Sequence, residues 1–471
     1  MPDLRRLATI LAFLFLGVGC DDGAEGTDGG RAGTDAGADV DAGGSSDRDA
    51  GAAPSDAGDD PDAGPRCPAP EGAPAITGAT HMLAGGGDLA ALVGTAASGD
   101  EIVLADGTYG DVTITDDAFD GWLVIRAAPG ATPRIASLHL TNTVGLYFEG
   151  VTFEGQVLIE AAERTVLDHI RLDIADRGDP TMYPGGGINV SGRGVGRGNR
   201  DFVLRNSTIR GGRRTLFLHS LFVVPDEWNQ NLVIQNNELD CVGDRNCIQI
   251  SGSQHVLIAD NTFRSAHDGV LMAGAIDVQV LRNRFEGTAS SGSAGGAVRV
   301  ASPGYQWDAF DGVGNMVSTD VLVANNLVRG YGTGVELAAC RRVDVVFNTV
   351  MDGRGLSTWH RVPVDENGDT VLVGNDEYRV WNNVLGEIRI DGLDPRPTFE
   401  SNNAAGTGGM GAGLITSDPL LDAEGIPMSG SPLIDAALVH ADNPTDDLLR
   451  ADRTGPPDIG GVEVGATVAC P

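Results

Sequence analysis

A short apolar phrase that recurs ten times between Leu146 and Asn403 constrains the fold more than any other feature of the sequence. Each copy has two apolar residues separated by one position, a polar step that often contains asparagine, and another apolar residue two positions later. The steps between successive anchor residues cluster near 22 when they are short, and the longer ones indicate insertions. The anchors are Val151, Ile170, Ser207, Asn237, Asn261, Asn283, Asn326, Asn348, Asn383 and Asn403.

A repeat of twenty-odd residues indicates a solenoid, because one such turn cannot bury its own apolar face and must stack on its neighbours. Apolar residues alternate within each copy, which is the period of a β-strand. Asparagine tolerates left-handed backbone angles and hydrogen-bonds at tight turns, so one asparagine per turn predicts a ladder of stacked amides. We therefore predict an all-β chain folded as a right-handed parallel β-helix, with rungs roughly 4.8 Å apart.

Both ends of the solenoid are predicted to be covered. Asp88 precedes a short apolar run, Leu89 to Val93, which is typical of an N-capped helix that closes the first turn. The C-terminal residues 411–471 lack the repeat, and we expect an irregular cap or tail there. The predicted β-helix domain covers residues 67–410.

The amino terminus predicts export. Arg5 and Arg6 precede an apolar run from Leu7 to Gly19, which is typical of a secretion signal over residues 1–20. The run that ends in Cys20 resembles a bacterial lipoprotein box, so Cys20 is predicted to be lipidated and to hold the protein at the bacterial cell envelope. An ordinary signal peptide cut near the same place is the alternative.

Residues 21–66 are predicted to form a disordered tether. They contain 13 acidic residues, 3 arginines and almost no large apolar side chain, so they cannot bury a core. The chain has a formal net charge of −34, of which the tether contributes −10 and the signal +1, so residues 67–471 carry −25. This acidity argues against a nucleic-acid partner, because phosphate binding needs clustered positive charge.

We also expect the protein to be a monomer.

Five cysteines remain after Cys20. Cys241 and Cys247 are close enough in sequence to form a disulfide within one turn. Cys67 and Cys470 can pair only if the C-terminal tail runs back along the stack, since the ends of a solenoid are otherwise too far apart. Cys340 is predicted to be a buried thiol outside any disulfide.

The sequence resembles bacterial proteins of the pectin-lyase-like, right-handed parallel β-helix superfamily. The resemblance covers roughly residues 85–465. It rests on the asparagine-anchored turns, on the opening 99–104 with Gly107, Thr108 and Tyr109, and on the tail motifs 431–435, Asp452, Arg453 and 457–460. Such a scaffold hosts lyases, hydrolases, epimerases and adhesins, so the resemblance implies the fold and leaves the chemistry open.

Function on such a scaffold is expected in an outward groove over one sheet. The second strand of each turn gives this groove, with long inserts as its walls, and its inward apolar pairs are Ile188 and Val190, Leu216 and Leu218, Ile248 and Ile250, Val270 and Met272, Val298 and Val300, and Val335 and Leu337. This alternation leaves an outward column of Asn189, Phe217, Gln249, Leu271, Arg299 and Glu336. A groove that mixes acids, bases and cations suits sugar chemistry. We therefore predict that the partner is a polysaccharide.

The candidate catalytic residues are His219, Arg299, Asp244, His267, Asp268 and Arg213. The candidate glycan contacts are Asn189, Gln249, Glu336, Trp228 and Trp307, with Tyr305 and Trp359 as further aromatic side chains for stacking on sugars. Solvated surface residues, or aromatic residues that pack the inserts onto the stack, would produce the same pattern.

Three functions follow from this column. A polysaccharide lyase acting on a uronate-containing glycan would need Arg213, Arg214, Arg299 or a histidine as its base, because the chain contains no lysine. A glycoside hydrolase is an alternative, since residues 244–250 faintly resemble polygalacturonases, although Arg245 replaces the second aspartate of that family. A non-catalytic glycan-binding or adhesive surface protein is the other alternative.

Calcium is the candidate cofactor. A domain of charge −25 repels a polyuronate unless a cation bridges them. Asp365, Asn367 and Asp369 have the alternate spacing of a calcium loop. Asn367 and Gly368 are also the strongest short hairpin signal, so a protruding β-hairpin is the favoured interpretation of this segment.

Overall fold

The structure is a computed structural model. It describes residues 72–174, 186–192, 197–211, 214–220, 227–241, 246–265, 267–287, 295–301, 317–359, 374–390, 398–404 and 413–465. Within these ranges, every pairing between two strands is parallel and joins one turn to the next. The described chain thus fits the predicted right-handed parallel β-helix, and the fold prediction is confirmed.

The solenoid has three faces, and we number them in chain order within a turn. The first face holds the strand that precedes the asparagine anchor. The first face consists of Glu101–Leu104, Ala118–Ala127, Val144–Glu149, Glu163–Asp168, Arg200–Arg205, Asn229–Gln235, residues 253–259 and 275–281, Ser318–Ala324, Cys340–Val346, Arg379–Trp381 and Thr398–Glu400. The strand Thr80–Leu83 pairs with its first member.

The second face is a 12-stranded sheet that follows the anchors. Its strands are Gly107–Thr108, Pro133–Ile135, Thr152–Phe153, Arg171–Ile174, Thr208–Gly211, Glu238–Cys241, Thr262–Ser265, Arg284–Gly287, Leu327–Arg329, Thr349–Val350, Val384–Leu385 and Asn403–Ala404.

The third face consists of Asp111–Thr115, Ser137–Thr141, Val157–Glu160, Gly186–Ser191, Arg214–His219, residues 248–251 and 270–273, Gly296–Ala301, Thr333–Ala338, Arg354–Trp359 and Glu387–Arg389. On several rungs it leads into the first face of the following turn through a short bend, as from Ser137–Thr141 to Val144–Glu149. The strands Ile248–Ala259 and Val270–Leu281 pass through this bend and belong to both faces.

The interior is filled by the alternating apolar residues of all three faces. Ile188, Leu216, Ile248 and their counterparts on later rungs are buried, as the alternation predicts. Phe263 and Phe285 stack on successive turns with ring centroids 4.5 Å apart. Each such side chain contributes roughly 1.5–3 kcal/mol when it is removed from water, so the stability of the solenoid accumulates turn by turn.

A buried ladder of amides connects the turns between the first and second faces. The Asn283 Oδ1 accepts hydrogen bonds from the backbone nitrogen and the Nδ2 of Asn261, and the Asn283 Nδ2 donates to the Ile258 carbonyl. The same contacts repeat through the buried ladder positions Asn237, Asn261, Asn283, Asn326, Asn348, Asn383 and Asn402. Ser207 extends the ladder upward, since its amide donates to Asn237 Oδ1.

Two details of the predicted ladder were wrong. The last member is Asn402 and not Asn403, because it is the Asn402 Oδ1 that accepts from the Asn383 amide. The left-handed backbone angle belongs to the residue before each ladder asparagine, as at Asn236 (φ 54°) and Arg282 (φ 54°). The ladder asparagines are therefore selected by their side-chain hydrogen bonds rather than by their tolerance of a positive φ.

The predicted N-terminal cap is present as the helix Leu89–Val93. The Asp88 Oδ1 accepts a hydrogen bond from the Ala91 amide at 2.9 Å, as an N-cap residue does. Leu89 and Val93 are buried in the core at the start of the stack. The described part of the chain includes no helix with the length and apolar character that a membrane crossing requires.

The C-terminal tail, residues 413–465, is irregular and returns along the solenoid. Leu433 and Ile459 pack on Phe347 and Trp381 of the late turns. Arg450 reaches Asp260, with Nη2 and Oδ2 2.7 Å apart, several turns closer to the amino terminus. The tail therefore fastens successive turns to one another.

The cysteine predictions have different outcomes. Cys241 and Cys247 form the predicted disulfide, with Cα atoms 5.3 Å apart. Cys340 is a buried thiol whose Sγ lies 3.1 Å from the Asn375 Oδ1. Cys20, Cys67 and Cys470 lie outside the described residues.

A buried ionic network holds the early turns of the first face. The Asp168 carboxylate accepts hydrogen bonds from Tyr147 Oη at 2.5 Å, Arg205 Nε at 2.9 Å and Asn206 Nδ2 at 2.8 Å, and His169 Nδ1 lies 2.7 Å from its Oδ1. Burial alone would raise the pKa of Asp168, but the hydrogen bonds from these neighbours and the charge of Arg205 hold that pKa well below its usual range. The carboxylate is therefore ionised at neutral pH.

Removal of one ladder amide tests how much the ladder stabilises the stack. We expect Asn283→Ala to lower the free energy of unfolding by about 3 kcal/mol, because it leaves buried backbone groups on two turns without partners. Urea denaturation measures the change. The matched control is Gln279→Ala, which removes an exposed amide from the same turn and should change stability by less than about 0.5 kcal/mol. Equal losses in the two variants would show that the ladder is not a main stabilising element.

The pKa of Asp168 predicts a specific acid sensitivity. A carboxylate whose pKa is lower in the folded state than in the unfolded state stabilises the fold when the pH is above the ordinary carboxyl pKa of roughly 4. This contribution is lost as the pH falls from that value toward the pKa of the folded state. We expect Asp168→Asn to cost about 2 kcal/mol at pH 7, with the difference from the unmodified protein shrinking from pH 4 downward. Urea titrations from pH 3 to pH 7 measure it, with exposed Asp111→Asn as the control. A difference that stays constant down to pH 3 would contradict this account.

Candidate functional site

The predicted outward column exists on the third face. Asn189, Phe217, Gln249, Leu271, Arg299 and Glu336 are register partners on six successive rungs. Their inward neighbours are buried in the core, so the alternation in the sequence gave the correct orientation. Adjacent members are separated by the strand spacing of roughly 4.8 Å, which places chemically different side chains at regular intervals along one surface.

Two carboxylates converge on one arginine in the lower half of this column. Arg299 Nε donates to Glu336 Oε2 at 2.9 Å, and Arg299 Nη1 lies 3.2 Å from Asp268 Oδ2. The indole nitrogen of Trp359 donates to Glu336 Oε1. We call Asp268, Arg299, Glu336 and Trp359 the carboxylate–arginine cluster. The two carboxylates fix the orientation of the guanidinium plane of Arg299.

Asp268 is the most deeply buried member of this cluster and lies beneath Arg299. Its side chain is 1% exposed, and its Oδ1 accepts a hydrogen bond from the Gly296 amide at 2.8 Å. A Cβ atom at Gly295 would lie 2.5 Å from the His267 carbonyl carbon, so glycine is required where this segment passes the site. His267 Nδ1 lies 3.5 Å from Asp268 Oδ2, and the His267 side chain is 28% exposed. A histidine, a carboxylate and an arginine are thus in contact at the edge of the groove.

His219 lies on the same face but apart from the cluster. Its register partners on the following rungs are Ser251, Ala273 and Ala301, so three steps, roughly 14 Å, separate it from the rung of Arg299. The imidazole stacks on Phe217 with centroids 4.7 Å apart. The described members of the predicted catalytic set therefore lie in two places. His219 is on an upper rung, whereas Asp268, Arg299 and the neighbouring His267 are in or beside the carboxylate–arginine cluster.

The amide side chains occupy the upper half of the column. Gln249 is half-buried, and its Oε1 lies 3.5 Å from Asn246 Nδ2. Asn189 is more enclosed than predicted, with 4% of the residue exposed. Its side-chain oxygen has no hydrogen-bond partner among the described residues. This oxygen is buried, so a glycan lying on the surface of the column does not contact it.

The prediction that Trp228 contacts glycan was wrong. Trp228 is 1% exposed, so its ring packs inside the protein and presents no face to a ligand. The sequence could not distinguish this packing role from a binding role, because both place an aromatic residue in an insert.

Several predicted site residues lie outside the described residues. They are Arg213, Asp244, Trp307, Asp365, Asn367 and Asp369, together with Tyr305 and Arg245. Among the residues that the structure does describe, no group of three or more histidine, cysteine or acidic side chains is arranged to hold a metal ion.

Sequence reasoning missed the lower end of the column. Ser357 and Arg389 follow Glu336 on the next two rungs, and Trp359 follows Ala338 on the neighbouring outward position. The signal was present, because Leu356 and Ile388 continue the inward apolar alternation. Extending the column by two strands would have placed Trp359 beside Glu336 instead of in an insert.

A second groove, on the first face, was also not predicted. It has a volume of about 640 Å³ and is lined by Asp277, Gln279, Asp320, Val321, Leu322, Arg342, Asp344, Glu377, Tyr378, Arg379 and Thr398. Its arginines are engaged by carboxylates: Arg342 Nη2 donates to Asp320 Oδ2 at 2.7 Å, and Arg379 Nη2 donates to Asp344 Oδ2 at 2.6 Å. The hydrogen bond from Arg342 lowers the pKa of Asp320. Both arginines of this groove are thus engaged, and its four carboxylates outnumber them, so the groove is an acidic surface.

Comparison with known proteins shows similarity in structure only. No protein-family profile matches the sequence, and neither does any functionally curated protein. Among solved structures, the chain is similar to PfbA, a surface adhesin of Streptococcus pneumoniae, with 12% identity, a TM-score of 0.48, and coverage of 69% of this chain and 85% of the adhesin.

Two polysaccharide lyases are similar to the chain to the same degree. A mannuronic acid specific family 6 lyase from human gut microbiota has 14% identity and a TM-score of 0.46, with coverage of 73% of this chain and 92% of the lyase. A variant of the family 6 alginate lyase AlyGC has 15% identity and a TM-score of 0.49, with coverage of 78% of this chain and 60% of the lyase.

The carboxylate–arginine cluster predicts a measurable energetic coupling. In a double-mutant cycle of Arg299→Met and Glu336→Gln, we expect a coupling of about 1–2 kcal/mol in unfolding free energy, because the pair is largely shielded from water. The matched control is the pair Arg354 and Glu387 on the same face, whose side chains are 43% and 56% exposed and 3.7 Å apart. Its coupling should not exceed about 0.5 kcal/mol. Comparable couplings would contradict the enclosed geometry of the cluster.

Proposed function

We propose that this chain is a polysaccharide-binding protein whose ligand lies along the third face and centres on the carboxylate–arginine cluster. The observation that carries the proposal is the outward column, in which amide, aromatic, cationic and anionic side chains follow one another on consecutive rungs. A linear glycan parallel to the stack would meet a new rung roughly every 4.8 Å. A periodic surface suits a polymer better than it suits a compact small molecule.

The chemistry of the column suits sugar hydroxyls. Glu336 accepts hydrogen bonds, and Arg299 and Gln249 donate them. Trp359 is half-buried and held by its hydrogen bond to Glu336, so its ring is oriented before a ligand arrives. Aromatic rings with one polar edge combine apolar contact with fixed orientation, which is what stacking on a sugar ring requires.

The charge of the site bears on which glycan binds. The cluster contains two carboxylates and one guanidinium, and the predicted domain carries −25. Both features disfavour binding of a polyuronate, because its negative charges are repelled unless a cation accompanies it. Calcium remains the proposed cofactor for an acidic glycan, but the donors among the described residues do not form a site for it. Neutral glycans therefore belong in the first binding screen.

Cleavage by β-elimination is a second candidate function, favoured by the contact of His267 with Asp268. Asp268 would orient the imidazole as a base, and the cationic Arg299 would stabilise negative charge that develops on a uronate carboxyl group. Arg299 itself is a poor base between two carboxylates. Hydrolysis is less well supported, because the buried Asp268 cannot reach a glycosidic oxygen as the paired-carboxylate mechanism requires.

The proposed location is the bacterial envelope. The apolar run before Cys20 and the acidic tether from residue 21 to residue 66 support export and attachment through a lipid on Cys20. A tether of this composition would extend the binding domain away from the membrane. Metabolic labelling with a fatty acid, compared between the natural chain and Cys20→Ser, tests the lipid directly.

Glycan binding is testable by affinity gel electrophoresis with neutral and acidic polysaccharides, each with calcium and with a chelator. We expect at least one polysaccharide to retard the protein, and Trp359→Ala and Arg299→Ala each to weaken its apparent affinity about tenfold, the effect of losing roughly 1.4 kcal/mol. Exposed Arg134→Ala on the second face is the control and should bind normally. Unchanged retardation in both third-face variants would place the binding site elsewhere.

Product analysis separates the binder from the two enzymes. A lyase releases unsaturated uronate that absorbs in the ultraviolet, a hydrolase releases reducing ends without that absorbance, and a binder releases neither. If the chain cleaves a glycan at the carboxylate–arginine cluster, we expect Arg299→Ala or His267→Ala to abolish turnover while leaving the fold intact. Normal turnover in both variants would refute the assignment of catalysis to this groove.

A further inference from the structure

We propose that the third face carries a second sugar-binding site at its upper end, the end nearest the amino terminus, formed by His139, Thr141 and Glu160. The inference rests on the proposed function, because it adds a site to the same glycan-binding face. Its ligand is the hydroxyl groups of neutral sugar units. Arg299 of the carboxylate–arginine cluster lies six rungs below His139, roughly 29 Å away, so the two sites are separate.

This upper part of the third face is accessible. Its strands are Asp111–Thr115, Ser137–Thr141 and Val157–Glu160, and all three lie in the continuously described range 72–174. Only one to three residues connect each of them to the strands before and after it, so no long insert begins or ends there. Thr113 is exposed, and the His139 side chain is 40% exposed. A polysaccharide can therefore reach these rungs from solvent.

Outward side chains of these three strands form a flat grid with two columns. The members are Thr113, His139 and Leu158 in one column, and Thr115, Thr141 and Glu160 in the other. The strand residues between the two columns are buried in the core, so all six side chains point away from it. Neighbours within a column lie roughly 4.8 Å apart, and the two columns lie roughly 7 Å apart. The grid thus has the dimensions of one or two sugar rings.

His139 is at the centre of the grid and is held by two neighbours. Its Nε2 lies 3.0 Å from Glu160 Oε2 and 3.0 Å from Thr141 Oγ1. Because a carboxylate accepts hydrogen bonds, Nε2 carries the proton in this contact, and the neutral ring offers Nδ1 as an acceptor. The Glu160 side chain is 21% exposed, half as much as that of His139. The more enclosed carboxylate therefore orients an imidazole that solvent can reach.

The groups of this grid match the hydroxyl groups of a sugar. The imidazole Nδ1 and the Glu160 carboxylate accept hydrogen bonds, and the threonine hydroxyls both donate and accept them. Leu158 is half-buried on the rung below His139 and provides an apolar contact for the carbon-bound hydrogens of a sugar ring. A few oriented polar groups beside an apolar surface are typical of small-molecule recognition.

The charge around the grid favours a neutral sugar over a uronate. The grid itself contains one carboxylate and no arginine. At its edge, Asp111 accepts a hydrogen bond from Ser137, and Asp116 accepts one from Asn142, whose side-chain oxygen in turn accepts from Arg197. One arginine therefore faces three carboxylates across these rungs, which disfavours a further negative charge.

Histidine side-chain NMR of the full chain tests the proposal, with xylan, hydroxyethyl cellulose, dextran and polygalacturonate as probes. Affinity gel electrophoresis first identifies which of them retard the unmodified protein. We expect a retarding neutral polysaccharide to shift the imidazole signals of His139, which are assigned from their loss in His139→Gln. The signals of His255 should not move. His255 is the matched control, because it is exposed and paired with Asp277 at 2.7 Å on the first face.

The outcomes separate this proposal from the proposed function. Retardation that leaves the His139 signals in place would overturn the second site alone, and shifts produced only by polygalacturonate would overturn its assignment to neutral sugars. Retardation by none of the four probes would overturn both proposals. We expect the His139 shifts to persist in Trp359→Ala at saturating polysaccharide, and their loss there would show that the upper site does not bind separately.

Substitutions at the upper site provide an independent test by affinity gel electrophoresis. We expect His139→Ala and Glu160→Ala each to weaken the apparent affinity for the retarding neutral polysaccharide about fivefold, the usual effect of losing one hydrogen bond. The control is Glu154→Gln in the same turn, whose side chain is 44% exposed, and it should bind normally. Unchanged affinity in both upper-site variants, together with weaker binding by Trp359→Ala, would overturn the second site and leave the proposed function standing.

Discussion

Turn-to-turn hydrogen bonding along the stack is the constraint on which the rest of this structure depends. Parallel strands satisfy their backbone groups only when each turn lies on the previous one in constant register, and the buried amide ladder fixes that register where the chain bends. Residues far apart in sequence thereby become neighbours along the axis. Arg299 and Glu336 are 37 positions apart and still form a close ion pair, because one turn with a long insertion separates them.

Much of the fold was predictable because apolar alternation reports directly which side chains face the core. The same alternation gave the six-residue outward column. It could not choose between Asn402 and Asn403, since both fit the spacing and only the hydrogen bond to Asn383 distinguishes them. It also could not show that Trp228 is buried or that Asp268 lies beneath Arg299, because those outcomes depend on how inserts and neighbouring turns pack.

The first and third faces have different roles in this account. The first face carries the N-terminal segment, the buried Asp168 network and the returning tail, so its outward side chains are largely used for structure. The third face retains the amide, aromatic and charged side chains of the outward column. Among the described residues, the tail also contacts the second face, at Thr349 and Leu327. The third face is thus left available for ligand, and this is the main structural support for placing polysaccharide there.

Successive repeats form adjacent rungs of one stack, and distances between paired spin labels along the third face measure this arrangement. Labels at His139→Cys, Gln249→Cys and Arg389→Cys lie four and five rungs apart. We expect separations of roughly 19 Å and 24 Å, and roughly 43 Å for the outer pair. Separations that are not additive, or an outer pair closer than either inner pair, would contradict the stacked-rung arrangement.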